Sequence, residues 1–309
     1  YLYPNLDSAV WRSGEAAPAL ARALAFDVEA GRLAVVDARG VPTWIDLRLG
    51  QVRPAARAPL ALAASVDGAA IFGVAGGRVT RLTPSGSDWT VRVGASPEAL
   101  YPQRDGSVLV AATRGGRGVV WQLRPPAEDA SDSATVAGGR PVRADAADRV
   151  YFAHGTELVA LRARGLEAVP PVDVGGTVLA VRATPSGDRL YVAVEGAREL
   201  VVVDRYAERV ATRVPLPGAA RELRVDALGR VVLARAARGD SAWVVDVAGD
   251  SVLGTAATAW RDDLPLVLPD GAIATAAGDD VALLDGETLD RRATVRGGAR
   301  EFWHVVLWN

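Results

Sequence analysis

Cysteine, methionine and lysine are all missing from the 309 residues, and asparagine occurs only as Asn5 and Asn309. Without cysteine there is no disulfide framework, no thiolate metal site and no cysteine nucleophile. Two histidines, His154 and His304, are too few for a multi-histidine metal centre, so no metal and no cofactor is expected. The 35 basic residues are all arginine and face 37 acidic ones. They form no like-charge block of the kind nucleic-acid binding requires, which excludes that class of partner. No run approaches about 18 consecutive apolar residues, so nothing reads as a membrane-crossing helix. The missing residues mostly have AT-rich codons, which points to a GC-rich genome; a thiol-free, oxidation-resistant surface is the functional alternative. The chain opens at Tyr1 without methionine and is expected to be a processed mature protein or an excerpt.

What is present is a repeat. Seven times a short apolar run is followed by a tight turn on Asp or Gly and a second apolar run. The first large apolar residues after these turns are Leu33, Ile71, Val108, Val150, Leu190, Val231 and Ile273, spaced by 38, 37, 42, 40, 41 and 42 residues. A period near 40 with several short strands per unit predicts an all-β fold, a single seven-bladed β-propeller of four-stranded antiparallel blades. The propeller is expected over residues 18–298, between an N-terminal tail (1–17) and an aromatic C-terminal segment (299–309) that is a strand or a linker to a further domain. The fifth unit is clearest. Its strands are expected at 178–181, 190–194, 200–204 and 210–214, separated by turns rich in Gly, Pro, Asp and Ser. Asp46, Asp204, Asp246 and Asp285 recur at the end of the third strand, where a carboxylate caps the following turn.

Residues 183–217 resemble the YVTN-type β-propeller repeat of bacterial and archaeal surface proteins. The resemblance rests on Pro185-Ser186-Gly187-Asp188-Arg189-Leu190-Tyr191-Val192-Ala193, then Val201-Val202-Val203-Asp204 and Val210-Ala211-Thr212. Tyr151 of unit four matches Tyr191. The resemblance implies a periplasmic, cell-surface or secreted bacterial propeller, usually without assigned catalysis. Quinoprotein dehydrogenases are a poorer match: their regular tryptophans and vicinal disulfide have no counterpart here.

Arginine placement carries the functional expectation. Arg143, Arg182 and Arg224 occupy equivalent positions on the innermost strands of units four to six. Strand alternation would aim their guanidinium groups into a central channel, where converging planar donors suit a carboxylate or phosphate. The competing reading is that they pair with acids or carbonyls and tie adjacent blades together. A second set is expected on one loop face: Arg57, Arg140, Arg221, Arg261 and Arg300 ahead of first strands, and Arg78, Arg114, Arg117, Arg198 and Arg238 between second and third strands. Such a face favours acidic partners.

The leading reading is therefore a non-enzymatic binding or scaffold module of the bacterial cell envelope. It would act on a protein or an acidic cell-wall ligand through the loop face and channel mouth. One alternative is a lactonase-like hydrolase using His154, Glu157 and Glu195. Another is a structural subunit of a larger assembly, attached through Tyr1, Tyr3, Trp11, Phe302, Trp303 and Trp308. The carboxylate pairs Asp262-Asp263 and Asp279-Asp280 read as solvated turn acids.

Overall fold

The computed structural model describes residues 19–124, 132–136, 138–142 and 148–305. They form seven four-stranded antiparallel sheets, each with its strands in simple consecutive order: a seven-bladed β-propeller. The blades span 20–54, 62–92, 99–135, 140–173, 178–215, 220–257 and 266–295. Each large apolar residue that marked the repeat is the first or second residue of its blade's second strand, from Leu33 in Arg32–Asp37 to Ile273 in Ile273–Ala277. The chain divides into two compact units: blades one to three lie in the part up to Ala137, and blades four to seven in Gly138–Val305.

Within each unit the core lies between neighbouring blades. Strand alternation sends successive side chains to opposite faces of a blade, so a sheet covered on both sides feeds two cores. In blade five, Leu190, Val192, Val201 and Val203 pack toward blade four, while Tyr191, Ala193, Leu200 and Val202 pack toward blade six. The same arrangement joins blades one and two around Trp44 and Ile71, and blades two and three around Phe72 and Val110.

Turn chemistry explains the breaks between strands. Gly68 has φ +77°, and a Cβ there would stand 2.5 Å from the Asp27 backbone nitrogen, so only glycine fits. The third-strand aspartates cap their turns as expected. One carboxylate oxygen of Asp204 accepts the Tyr206 and Ala207 amides at 2.9 and 2.8 Å, and Asp285 accepts those of Glu287 and Thr288. Four residues after each capping aspartate the backbone turns left-handed, at Gly50, Glu208, Asp250 and Leu289.

In the second unit two of these left-handed residues reach back to the preceding blade. Glu208 stands 3.5 Å from Arg149 and 3.9 Å from Arg162 in blade four. Asp250 accepts the Tyr191 hydroxyl at 3.0 Å and pairs with Arg189 at 3.2 Å, both in blade five. Tyr151, which matches Tyr191 in the repeat, instead accepts from Arg205 of blade five at 2.9 Å.

The C-terminal segment is described as far as residue 305. A short 3-10 turn spans Gly298–Arg300, and residues 301–305 form no strand.

Candidate binding surface

In an antiparallel meander, the hairpins between second and third strands and the connections from fourth to first strands share one edge of the blade. In the first unit this edge is populated by arginine. Arg39, Arg57, Arg78, Arg92, Arg114 and Arg117 are all exposed there, against two acids among the described residues, Asp37 and Glu98. The Gly76-Gly77 and Gly115-Gly116 turns have φ values of +55°, +72°, +58° and +76°. Positive φ at both central positions is the requirement of a two-residue hairpin with a type I′ turn. The tight turn in blade three sets Arg114 opposite Arg117, and the next hairpin of blade two sets Arg78 opposite Arg92.

Like charges directly opposite one another on a sheet are destabilising. In the second unit an arginine pair on the other edge of blade four, Arg149 opposite Arg162, is bridged by Glu208. No acid bridges Arg78 to Arg92 or Arg114 to Arg117 among the described residues. The two acids of this edge are already engaged. Glu98 accepts the Thr113 amide at 2.7 Å and its hydroxyl at 3.2 Å. Burial alone would raise the Asp37 carboxyl, but the Val41 and Arg39 amides and the Arg39 guanidinium hold it below the ordinary carboxylate value.

The equivalent edge of the second unit differs in that several of its arginines form ion pairs with acids. Arg261 pairs with Asp263 at 2.9 Å, Arg300 with Asp279 at 2.7 Å, and Arg213 and Arg235 with Glu199 and Glu222. Arg198 donates to the Pro217 carbonyl and Arg140 to that of Val178. Arg221 and Arg238 are exposed, and each has an acid, Glu222 or Asp240, within two residues in sequence.

Of the three first-strand arginines, Arg143 lies outside the described residues. Arg182 and Arg224 do occupy equivalent positions, each the penultimate residue of its strand, Val178–Ala183 and Ala220–Val225. Arg224 acts as a tie between blades six and seven. It donates to the Pro265 carbonyl at 2.8 Å and to the Arg261 carbonyl, and lies 4.6 Å from the centre of the Trp260 ring. Burial pulls its guanidinium down to about 10, against the opposing influence of Asp263, Glu222 and Asp262, with Arg182 adding to the lowering. Arg182 donates to the Val181 carbonyl at 2.8 Å.

His154, Glu157 and Glu195 lie in two hairpins, of blades four and five. His154 is exposed in a blade-four hairpin with Glu157 as its cross-strand partner, and Glu195 lies exposed in the corresponding hairpin of blade five. Among the described residues no hydrogen bond or ion pair reaches His154. Tyr1, Tyr3, Trp11 and Trp308 lie outside the described residues, and Phe302 is half-buried. Trp303 is not an outward-facing contact. It is 6% exposed, its amide donates to Asp263 and its indole N–H donates to the Gly298 carbonyl. An indole this deeply packed closes the end of blade seven instead of presenting itself to a partner.

Arg39 and Arg92 were not anticipated from sequence. Arg92 follows from hairpin register once Arg78 is placed, and Arg39 from the tight turn between Asp37 and Val41.

No known protein family and no curated protein matches the chain by sequence. Solved structures are similar in fold. Apo AztD from Citrobacter koseri has a TM-score of 0.65 at 12% identity, covering 89% of this chain and 86% of that one. Dihydro-heme d1 dehydrogenase NirN in complex with DHE has a TM-score of 0.66 at 13% identity, covering 90% and 66%. Kuenenia stuttgartiensis hydrazine synthase has a TM-score of 0.60 at 12% identity, covering 96% and 99%. The likeness is one of fold. The YVTN-type resemblance rests on the residues of 183–217 alone.

Proposed function

We propose that the protein is a non-enzymatic binding module of the bacterial cell envelope that takes an anionic partner on the loop edge of its first unit. One observation carries this reading: two arginine pairs face each other there with no acid between them among the described residues, whereas an arginine pair on the opposite edge of blade four is bridged by Glu208. Uncompensated cross-strand repulsion is a cost that an anionic partner would relieve. Six guanidinium groups along one edge also create a local positive potential that steers acidic partners despite a net charge of −2. The YVTN-like residues of blade five support the envelope setting. The hydrolase reading has no comparable support: among the described residues no acid hydrogen-bonds to His154, which is exposed.

The test is retention on immobilised polyglutamate and heparin at pH 7.5, above the pI of about 5.8. Retention is expected at low salt and should fall steeply as ionic strength rises. Replacing Arg78, Arg114 and Arg117 together with Gln should weaken binding about tenfold, at roughly 0.5 kcal/mol per exposed charge. The paired set in unit two, Arg198 and Arg300 to Gln, should change it little. Equal losses from both sets, or no retention of the wild type, would refute the assignment.

A further inference from the structure

We propose that the flank of the first unit between blades one and two is the specific seat for an acidic peptide segment of the partner; this rests on the reading of the arginine edge as an anion-binding surface. A cleft of about 870 Å³ opens there, with Arg39 and Arg57 at its rim and Val41, Ala56, Pro59 and Leu82 among its apolar walls. That size falls within the roughly 300–1,000 Å³ typical of ligand pockets.

The walls are preformed. The segment joining blade one to blade two has no regular structure of its own, yet the Ala55 amide donates to the Pro42 carbonyl at 2.8 Å and the Leu60 amide to that of Gly40 at 3.1 Å. Pro54 and Pro59, each just ahead of one of these anchors, restrict the backbone. Gly40, at φ +82°, lies so close to Pro59 that a Cβ there would stand 3.3 Å from the proline Cβ.

The two cations differ in how they are held. Arg39 donates from Nε and Nη2 to one oxygen of Asp37, at 3.0 and 2.8 Å, while its side chain remains 73% exposed. The buried carboxylate thereby orients a guanidinium whose remaining N–H groups are left for an incoming carboxylate. Arg57 is exposed and makes no hydrogen bond or ion pair among the described residues. It supplies the uncompensated charge.

The apolar walls select the class of ligand. A phosphate polymer or an anionic sugar chain satisfies the guanidinium groups but gains nothing from burying Val41, Ala56 and Leu82. A peptide with carboxylates flanking an apolar side chain gains from both, since apolar burial contributes about 25 cal/mol per Å². Ordered carboxylate recognition by arginine adds geometric selectivity.

The experiment is fluorescence anisotropy on the full chain with three labelled probes of equal charge: a peptide alternating glutamate and leucine, oligoglutamate, and a short polyphosphate. The mixed peptide should bind roughly tenfold more tightly than oligoglutamate. Arg57→Ser, and separately Ala56→Phe to fill the cleft, should each weaken the mixed peptide about fivefold or more while leaving polyphosphate binding within about twofold. Arg57 is an exposed position, so Arg57→Ser retains the fold even if Ala56→Phe does not. Unchanged peptide binding in Arg57→Ser, with loss only in Arg114→Gln/Arg117→Gln, would overturn the cleft and leave the edge intact. Equal affinity for all three probes would overturn it too. Failure of every probe to bind the wild type would bring down the edge reading itself.

Discussion

Asp285 gathers two backbone amides and the Arg292 guanidinium around one carboxylate. The Thr288 and Glu287 amides, followed by Arg292, lower its pKa to about 2. A carboxyl depressed in the folded state stabilises above its unfolded pKa, about 3.9, and loses that contribution as pH falls toward the folded value. Asp285→Asn should therefore have a lower urea midpoint than the wild type at pH 7. The gap should narrow between about pH 4 and pH 2 as the wild-type carboxyl takes up its proton. Midpoints measured at pH 7, 4 and 2.5 check this, and a gap independent of pH would contradict it. The recurrence of Asp46, Asp204, Asp246 and Asp285 was legible in the sequence because turn capping is local. The cross-blade roles of Glu208 and Asp250 were not: their partners lie 46 to 61 positions away, and the left-handed backbone that aims them leaves no sequence signal in a residue other than glycine.

Blade five shows what holds at the scale of strands. Leu200 and Val201 are neighbours in its third strand, both fully buried, yet they belong to different cores. Leu200→Ala should cost about 2–5 kcal/mol, and Val201→Ala somewhat less. Because the two side chains share neither cavity nor partners, their costs should add to within about 0.5 kcal/mol in the double variant, read by chemical denaturation. A large coupling would mean that the two faces of the blade are not independent. Strand positions were readable from alternation and from Gly and Asp turns at a steady period. The composition of the aromatic stretch after Arg300 suits a strand or a linker and does not decide between them. In the structure Trp303 satisfies its amide and indole N–H with Asp263 and the Gly298 carbonyl, and the described residues 301–305 form no strand.

For the molecule as a whole, the repeat made the seven-bladed architecture legible, since every blade obeys the same turn and alternation rules. The functional surface was legible only in part. Arg57, Arg78, Arg114 and Arg117 stood out by their place beside turns, but so did Arg198, Arg261 and Arg300. Only the contacts distinguish the arginines that meet acids or carbonyls from those that meet other arginines. The reach of Glu208 and Asp250 into preceding blades has a further consequence for the second unit. Couplings that run only from one blade to the next make it a one-dimensional array, whose stability is a sum of nearest-neighbour terms. Asp250→Ala should then speed native-state hydrogen exchange in blades five and six while leaving blade four close to wild type. Uniform acceleration across all four blades would point to a single cooperative block. Under the array behaviour, damage at one joint stays where it occurs, and a propeller assembled from duplicated blades can tolerate a poor copy without losing its neighbours.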